Sequence, residues 1–378
     1  MFDQAYLDKI EERVFKETVL AKEAGAKIVG VYCAFTPKEL IAAAGAIPVA
    51  LCSGTSQAIP AAEAHLPRNL CPLIKASYGH ALTDTCPYFH MADFLLADAT
   101  CDGKKKMFEL LADIRPLHML QLPQTAETLE SFTYWLQELR RIKIIIEQQT
   151  GRIITAESLL KQIRIYNRLR TTICEVFELN RGDIPLLFGH EIDSITSMAG
   201  FEYNLETRIA EMQDAIAVTR ERAGDPVFNK NMRSRPHILL TGCPSTNKKV
   251  LKLIEENGGV VVAMENCGGL KTAGDNVEEQ GELLEALARR YLATACACMT
   301  PNHRRIEILA ELIENYRIDG VIELTWEGCH TYNVEAYQIE KAVSLQFGCP
   351  YLHITTDYSH NDTGQLKTRI EAFLELLV

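Results

Sequence analysis

Short apolar, β-branched runs alternate with helical patterns at both ends of the chain. In the first part the runs are residues 26–32 (AKIVGVY), 47–51 (IPVAL), 94–96 within ADFLLADAT, and 117–122 (LHMLQL). A helix is predicted over 36–44, because Pro37 falls in its first turn with Glu39 close behind. From Pro236 the alternation returns, with strands predicted at 237–241 (HILLT), 259–264 (GVVVAM), 320–324 (GVIEL) and 350–354 (PYLHI). Helical patterns lie between them at 248–256, 277–295 and 303–316, and another closes the chain. Strands alternating with helices imply βαβ units and a mostly parallel sheet.

Residues 126–232 read differently. They carry long helical patterns such as AESLLKQIRIYNRLRTTICEVFEL, punctuated by Gly151, Gly182-Asp183 and Gly224-Asp225-Pro226, with no strong strand signal. The expected fold class is therefore α/β. Two doubly wound, mostly parallel-sheet (Rossmann-like) domains face each other, with an intervening helical segment. The expected divisions are 1–125, 126–234 and 235–378. The two α/β halves share a plan, without a strict repeat in sequence.

Composition narrows the function. The 378 residues include 39 Lys plus Arg against 50 Asp plus Glu, a net charge of −11. A dedicated nucleic-acid binder needs a basic face to neutralise phosphates, so that class is disfavoured. No apolar run approaches the roughly 20 residues that span a bilayer. The opening MFDQAYLDKIEERVFKE is charged and amphipathic, without a signal-peptide core. A cytoplasmic location is expected.

The twelve cysteines change the picture. In a reducing cytosol they should not form structural disulfides. Any single one is as readily a small buried apolar residue. Yet Cys33, Cys101, Cys243, Cys267 and Cys329 all fall at or just beyond predicted strand ends. Open α/β sheets bind ligands outside the carboxyl ends of their strands. Two halves facing each other would gather these thiols in one cleft. Close C-x₂₋₄-C zinc pairs, the ferredoxin C-x₂-C-x₂-C run and the thioredoxin C-x-x-C motif are all missing from the sequence. Dispersed thiolates from loops of two domains suit an iron–sulfur cluster at a domain interface.

Residues 31–40 (VYCAFTPKEL) and 43–52 (AAGAIPVALC) resemble the opening of the 2-hydroxyacyl-CoA dehydratase family. So do 66–75 (LPRNLCPLIK), 86–89 (CPYF), 100–107 (TCDGKKKM), Gly242-Cys243-Pro244, Glu265-Asn266-Cys267 and 328–332 (GCHTY). Asp357-Tyr358 and Gly364-Gln365-Leu366 match near the C-terminus. The resemblance implies a [4Fe–4S] cluster held by Cys71, Cys101 and Cys329, and a separate ATP-hydrolysing iron–sulfur activator that injects low-potential electrons. The chain itself lacks a Walker pattern, since GKKK has neither the upstream glycine nor the Ser/Thr of G-x-x-x-x-G-K-[ST].

More cysteines occupy motif positions than one three-thiolate cluster requires. The sequence is similar to the double-cubane cluster branch of the family, which implies a homodimer with an [8Fe-9S] cluster and six cysteine ligands. Cys71, Cys101 and Cys329 would hold one cubane. The second would draw on Cys33, Cys243, Cys267, Cys296 and Cys298, with Cys243, Cys267 and Cys298 favoured and Cys33 in reserve. Cys52, Cys174 and Cys349 read as core residues, and Cys86 is ambiguous. The alternative is one [4Fe-4S] cluster in a dehydratase or aryl-CoA reductase subunit.

Lys104, Lys105 and Lys106 follow Cys101 at an expected helix start. A cationic run there would favour cluster reduction or bind an acidic partner surface. His330 beside Cys329 could donate a proton or hydrogen-bond a sulfide. Lys75, Glu327 and Tyr332 are further candidates around the cluster. Each also has an ordinary structural reading, as a solvated turn, a backbone-bonding residue or a packed ring. The expected substrate is a small molecule.

Overall fold

The computed structural model describes residues 1–377. Eight strands form two sheets: β1 (Ile28–Tyr32), β2 (Ile47–Ala50), β3 (Phe94–Asp98) and β4 (Leu117–Leu120), then β5 (His237–Gly242), β6 (Val260–Glu265), β7 (Gly320–Trp326) and β8 (Tyr351–Thr356). All pairings are parallel, and the orders are β2-β1-β3-β4 and β6-β5-β7-β8. The fold is thus α/β, with two Rossmann-like sheets of the same winding.

Every predicted strand is present. Three run two residues further than the pattern suggested, β3 to Asp98, β7 to Trp326 and β8 to Thr356. Each of these ends on a polar or aromatic residue, where an apolar-run reading stops, yet Asp98, Trp326 and Thr356 are all buried. Both faces of the first sheet are covered, as parallel sheets require. Val29, Val31, Phe94 and Leu96 face one core, while Ile28, Tyr32, Leu95 and Ala97 face the other.

Five helices fill the middle of the chain: Leu129–Thr150, Ala156–Glu178, Gly189–Thr196, Leu205–Glu221 and Pro226–Arg233. The Ala156–Glu178 helix starts at a capping box in which Thr155 and Ser158 exchange hydrogen bonds. Its Arg170 donates to buried Glu39 at 2.8 Å, and Tyr291 donates to the same carboxylate at 2.7 Å. One ion pair thereby ties together an N-terminal, a central and a C-terminal helix.

The helix expected over 277–295 is shorter, spanning Leu283–Leu292. Asn167 takes both backbone groups of Val277, donating to its carbonyl and accepting from its N–H at 2.8 Å each. That bond pair holds residue 277 outside the helix. The Leu283–Leu292 helix packs Leu287 and Ala288 into the core that also holds Val29, Phe94 and Trp135. Residues after β6 therefore cross onto the first sheet, and Thr300 N–H donates to Gln124 O at 2.8 Å.

Candidate cluster site

The two sheets place cysteines at matching positions. Cys33 and Cys243 stand one residue beyond β1 and β5, Cys52 and Cys267 two beyond β2 and β6, and Cys101 and Cys329 three beyond β3 and β7. Cys101 and Cys329 each occupy the N-cap of the next helix, Asp102–Ala112 and His330–Lys341. Cys71 caps a further helix, Pro72–Leu82. Cys296 and Cys298 lie just past the Leu283–Leu292 helix that crosses to the first sheet, which brings them beside Cys33.

Two glycines at positive φ permit close backbone approaches directly before cysteines. Gly328 has φ +71°, and a Cβ there would lie 2.4 Å from Asn69 O and 3.0 Å from Cys71 N. Only glycine lets the Cys329 loop close on the Cys71 loop. Gly242 has φ +102°, and its Cβ would lie 2.3 Å from Leu324 O. Cys243 is thereby held against β7, where its sulfur receives the Trp326 N–H at 3.5 Å.

The thiols fall into two neighbouring groups. Cys243 and Cys71 adjoin Cys329 and lower its pKa, while the Cys71 thiol is raised by Cys329 and by burial and the Cys243 thiol by burial and by Cys329. In the second group neighbouring Cys298 lowers the pKa of Cys296, with Lys271 and Lys104 acting in the same direction against burial. Cys267 is pushed up to about 12 by burial, against the pull of Lys271, and it faces Cys296 and Cys52. Cys33 faces Cys52 and Cys267 as well. Cys101 lies between the groups, within charge range of both Cys329 and Cys296. Cys243 thus sits with Cys71 and Cys329 rather than with Cys267 and Cys298. Cys52, read from sequence as core, borders the second group.

The lysine run divides. Lys104 is buried and donates to Cys33 Sγ at 2.5 Å. Burial alone would lower its pKa, but Cys33, Cys52 and Cys101 hold it well above the ordinary value. Lys105 instead pairs with Asp102 at 2.7 Å, and Lys106 with Glu109 at 2.5 Å, both toward solvent. Helical geometry explains the split, since successive residues point 100° apart. Cys33 has φ +76°, unusual for a side chain with a Cβ. Its loop is fixed by buried Asp98, which accepts from Phe35 N and Thr36 Oγ1 at 2.6 Å each. Burial pushes the Asp98 carboxyl up to about 7 despite those bonds.

Lys75 and Glu327 line a cavity of about 310 Å³ between the halves, beside Asn69, Leu70 and Pro72 of the Cys71 loop. Lys75 is engaged there, donating to Glu63 at 2.8 Å and to Arg68 O at 2.6 Å. His330 is exposed at the start of its helix. Tyr332 is buried and accepts from Lys271 Nζ at 2.9 Å. Away from the cleft, Cys174 donates to Ala273 O, Cys349 to Ile318 O, and Cys86 caps the Pro87–Met91 helix.

Sequence reasoning did not single out Lys271, Asp98 or the buried Glu265–Arg305–Glu323 network behind Tyr332. A lysine four residues after a strand-end cysteine is the only signal of Lys271, and its burial is invisible in a pattern. Among the described residues no three His, Cys, Asp or Glu side chains converge tightly enough for a single metal ion. A polynuclear cluster asks for a wider cage, each sulfur serving a different iron. Nine soft thiols with two buried ammonium groups among them form a donor set that fits such a cluster. Among the described residues no helix is long and apolar enough to cross a membrane.

Comparison with known proteins agrees with the architecture. The family model described as 2-hydroxyglutaryl-CoA dehydratase, D-component, matches residues 33–377. YjiM of Escherichia coli (strain K12), provisionally named a dehydratase subunit, is 40% identical over 379 residues, covering 100% of this chain and 98% of that protein. The (R)-phenyllactyl-CoA dehydratase beta subunit of Clostridium sporogenes is 22% identical, over 94% of this chain and 93% of its own. A benzoyl-CoA reductase subunit of Thauera aromatica is 20% identical, over 84% of this chain and 81% of its own. The chain belongs to the 2-hydroxyglutaryl-CoA dehydratase D-component family.

Proposed function

We propose that this chain is an iron–sulfur enzyme holding a double-cubane [8Fe-9S] cluster, which reduces small molecules with low-potential electrons from an ATP-hydrolysing activator protein. The observation that carries this reading is the number of thiols in one cleft. Cys33, Cys52, Cys71, Cys101, Cys243, Cys267, Cys296, Cys298 and Cys329 form one connected set. A single cubane with three thiolates would leave six of them without a task.

When bound, the cluster supplies single electrons at low potential. The chain's own residues hold and surround it. Cys71, Cys101 and Cys329, at three helix starts, are the ligands of one cubane. Cys267 and Cys298, with Cys33 or Cys243, serve the second. Lys104 counters the negative charge at the Cys33 side. Lys75 and Glu327 border the cavity by which a small substrate reaches the ligand loops, and exposed His330, next to Cys329, is a proton donor. We assign activator docking to the surface bearing Lys105 and Lys106. The domain limits 1–125, 126–234 and 235–378, a homodimer and a cytoplasmic location complete the proposal.

A second reading rests on the relatives, which are named as acyl-CoA dehydratase and reductase subunits. In it the chain carries one [4Fe-4S] cluster beside a partner subunit. Anaerobic iron and acid-labile sulfide analysis separates the two. About eight irons per chain supports the double cluster, and about four supports the single cubane. Cluster reduction should depend on ATP and activator. Lys105→Glu with Lys106→Glu should slow it while leaving iron content intact. Equal turnover with a plain ferredoxin and no ATP would overturn the activator mechanism.

A further inference from the structure

We propose that Lys271 is the second buried cation of this site, a positioning residue that offsets negative charge on the Cys267–Cys296 side as Lys104 does on the Cys33 side. The inference rests on the reading that these thiols hold an iron–sulfur cluster.

Lys271 lies in the short helix Leu270–Ala273, four residues past Cys267. Thr272 Oγ1 donates to Cys267 O at 3.2 Å, so the helix and the cysteine loop move as one. The Lys271 side chain has no exposed surface, and neither has its partner Glu265, 2.9 Å away. Burying an ammonium is costly unless neighbouring negative charge repays it. Glu265 offsets part of that cost. Its other oxygen already receives Thr241 Oγ1 at 2.5 Å and Arg305 Nε at 3.2 Å. Arg305 in turn meets Glu323 at 2.9 Å and Glu335 at 2.5 Å. The ammonium also donates to Tyr332 OH at 2.9 Å and lies 5.1 Å from that ring's centre. These contacts fix its position. What remains within charge range is the pair Cys267 and Cys296.

The matching of the two halves supports this role. Lys104 stands three residues after Cys101, and Tyr332 three residues after Cys329. Where the first half carries an ammonium, the second carries a phenol, and Lys271 is seated on that phenol's oxygen. Each half thus contributes one buried ammonium to the thiol cage, by a different route. A cation held beside the cluster makes added electrons less costly and raises its reduction potential.

The test uses the full chain with its cluster, comparing Lys271→Met, Lys271→Arg and Glu265→Gln with the wild type. Iron content and a redox titration followed by EPR are the readouts. Lys271→Met should keep its iron and become harder to reduce. The reduced-to-oxidised ratio at a fixed ambient potential should fall about tenfold, which is 59 mV for one electron. Lys271→Arg should restore most of the difference. Glu265→Gln should move the potential the other way, and rescue by Lys271→Arg with iron content constant is what a merely structural role would not produce. Iron-replete Lys271→Met with an unchanged potential overturns the proposal. Should Lys271→Met fail to fold, Lys271→Gln, which keeps a donor for Tyr332 without the charge, decides: a downward shift supports the role, and none or an upward one defeats it. Failure of the wild-type chain to hold any iron overturns the cluster reading itself and is separate from every one of these outcomes.

Discussion

The strand ends of the two sheets place sulfur alike and support it differently. In the second half the left-handed backbone angle falls on Gly242, and Cys243 follows it in ordinary conformation. In the first half the angle falls on the cysteine itself, with Cys33 at φ +76°. A Cβ in that region costs roughly 1–2 kcal/mol. The Lys104 bond and the Asp98 clamp on the following loop offset it. Behind Cys329, by contrast, stands a network of paired carboxylates and guanidinium with no solvent exposure. Equal spacing of cysteines after strands β1–β3 and β5–β7 therefore marks what the fold preserves. The charged groups around them mark what each half does separately.

The strongest way to break the comparison is to remove its equivalent capping cysteines. Cys329→Ala and Cys101→Ala should each lose iron from one cubane, about four atoms per chain, with loss of about half the charge-transfer absorbance. Because the Cys329 loop packs directly on the Cys71 loop at Gly328, the Cys329 variant should show the larger loss. Retention of full iron content in either variant removes that residue from the ligand set.

Next in size come the two glycines. Gly328→Ala and Gly242→Ala both place a Cβ at positive φ against a carbonyl, and each should cost about 1–3 kcal/mol. The obstructing carbonyl differs. For Gly328 it belongs to Asn69 across the seam between the halves, whereas for Gly242 it belongs to Leu324 in the same sheet. Gly328→Ala should therefore also lower iron content, since it pushes the Cys329 loop off the Cys71 loop. Gly242→Ala should show mainly lower thermal stability. Calorimetry beside iron analysis distinguishes the two patterns.

A smaller contrast concerns Cys52 and Cys267, which share the position two residues past a strand. Cys267→Ser should reduce iron content. Cys52→Ser should leave iron unchanged and alter stability by less than about 1 kcal/mol. Equal iron loss in both would extend the matching of the halves from backbone to ligation.

Much of this architecture was legible in the chain. All eight strands were readable because parallel strands buried on both faces are continuous apolar runs. The strand-end cysteines were readable because strand ends could be placed to within two residues. Cys52 escaped notice because Leu51 makes it look like the tail of an apolar run. The split of Lys104 from Lys105 and Lys106 needed the helix phase, which three like residues in a row do not reveal. The crossing of the Leu283–Leu292 helix onto the first sheet was not legible. It depends on pairings such as Tyr291 with Glu39, 252 positions apart. That crossing is what delivers Cys296 and Cys298 to the side of Cys33.

The smallest expected effect comes from a buried charge outside the cleft, and it sharpens the contrast between charges that serve the thiols and charges that serve the fold. Glu191 accepts from Arg222 Nη1 at 2.7 Å and Nη2 at 2.8 Å, and from Phe188 N at 3.2 Å. Burial alone would raise its pKa, but Arg222 and the backbone bond hold it down to about 2. Between that value and the ordinary 4.5 the unfolded chain binds the proton and the folded chain does not. Stability from this carboxylate is therefore complete above about 4.5 and is lost as pH falls toward 2. Glu191→Gln should flatten the acid limb of a stability-against-pH curve in that window. Iron content at neutral pH should stay at the wild-type level, because no thiol lies among the contacts of Glu191. An acid limb as steep as the wild type's would show that Arg222 and Glu191 contribute nothing to acid stability.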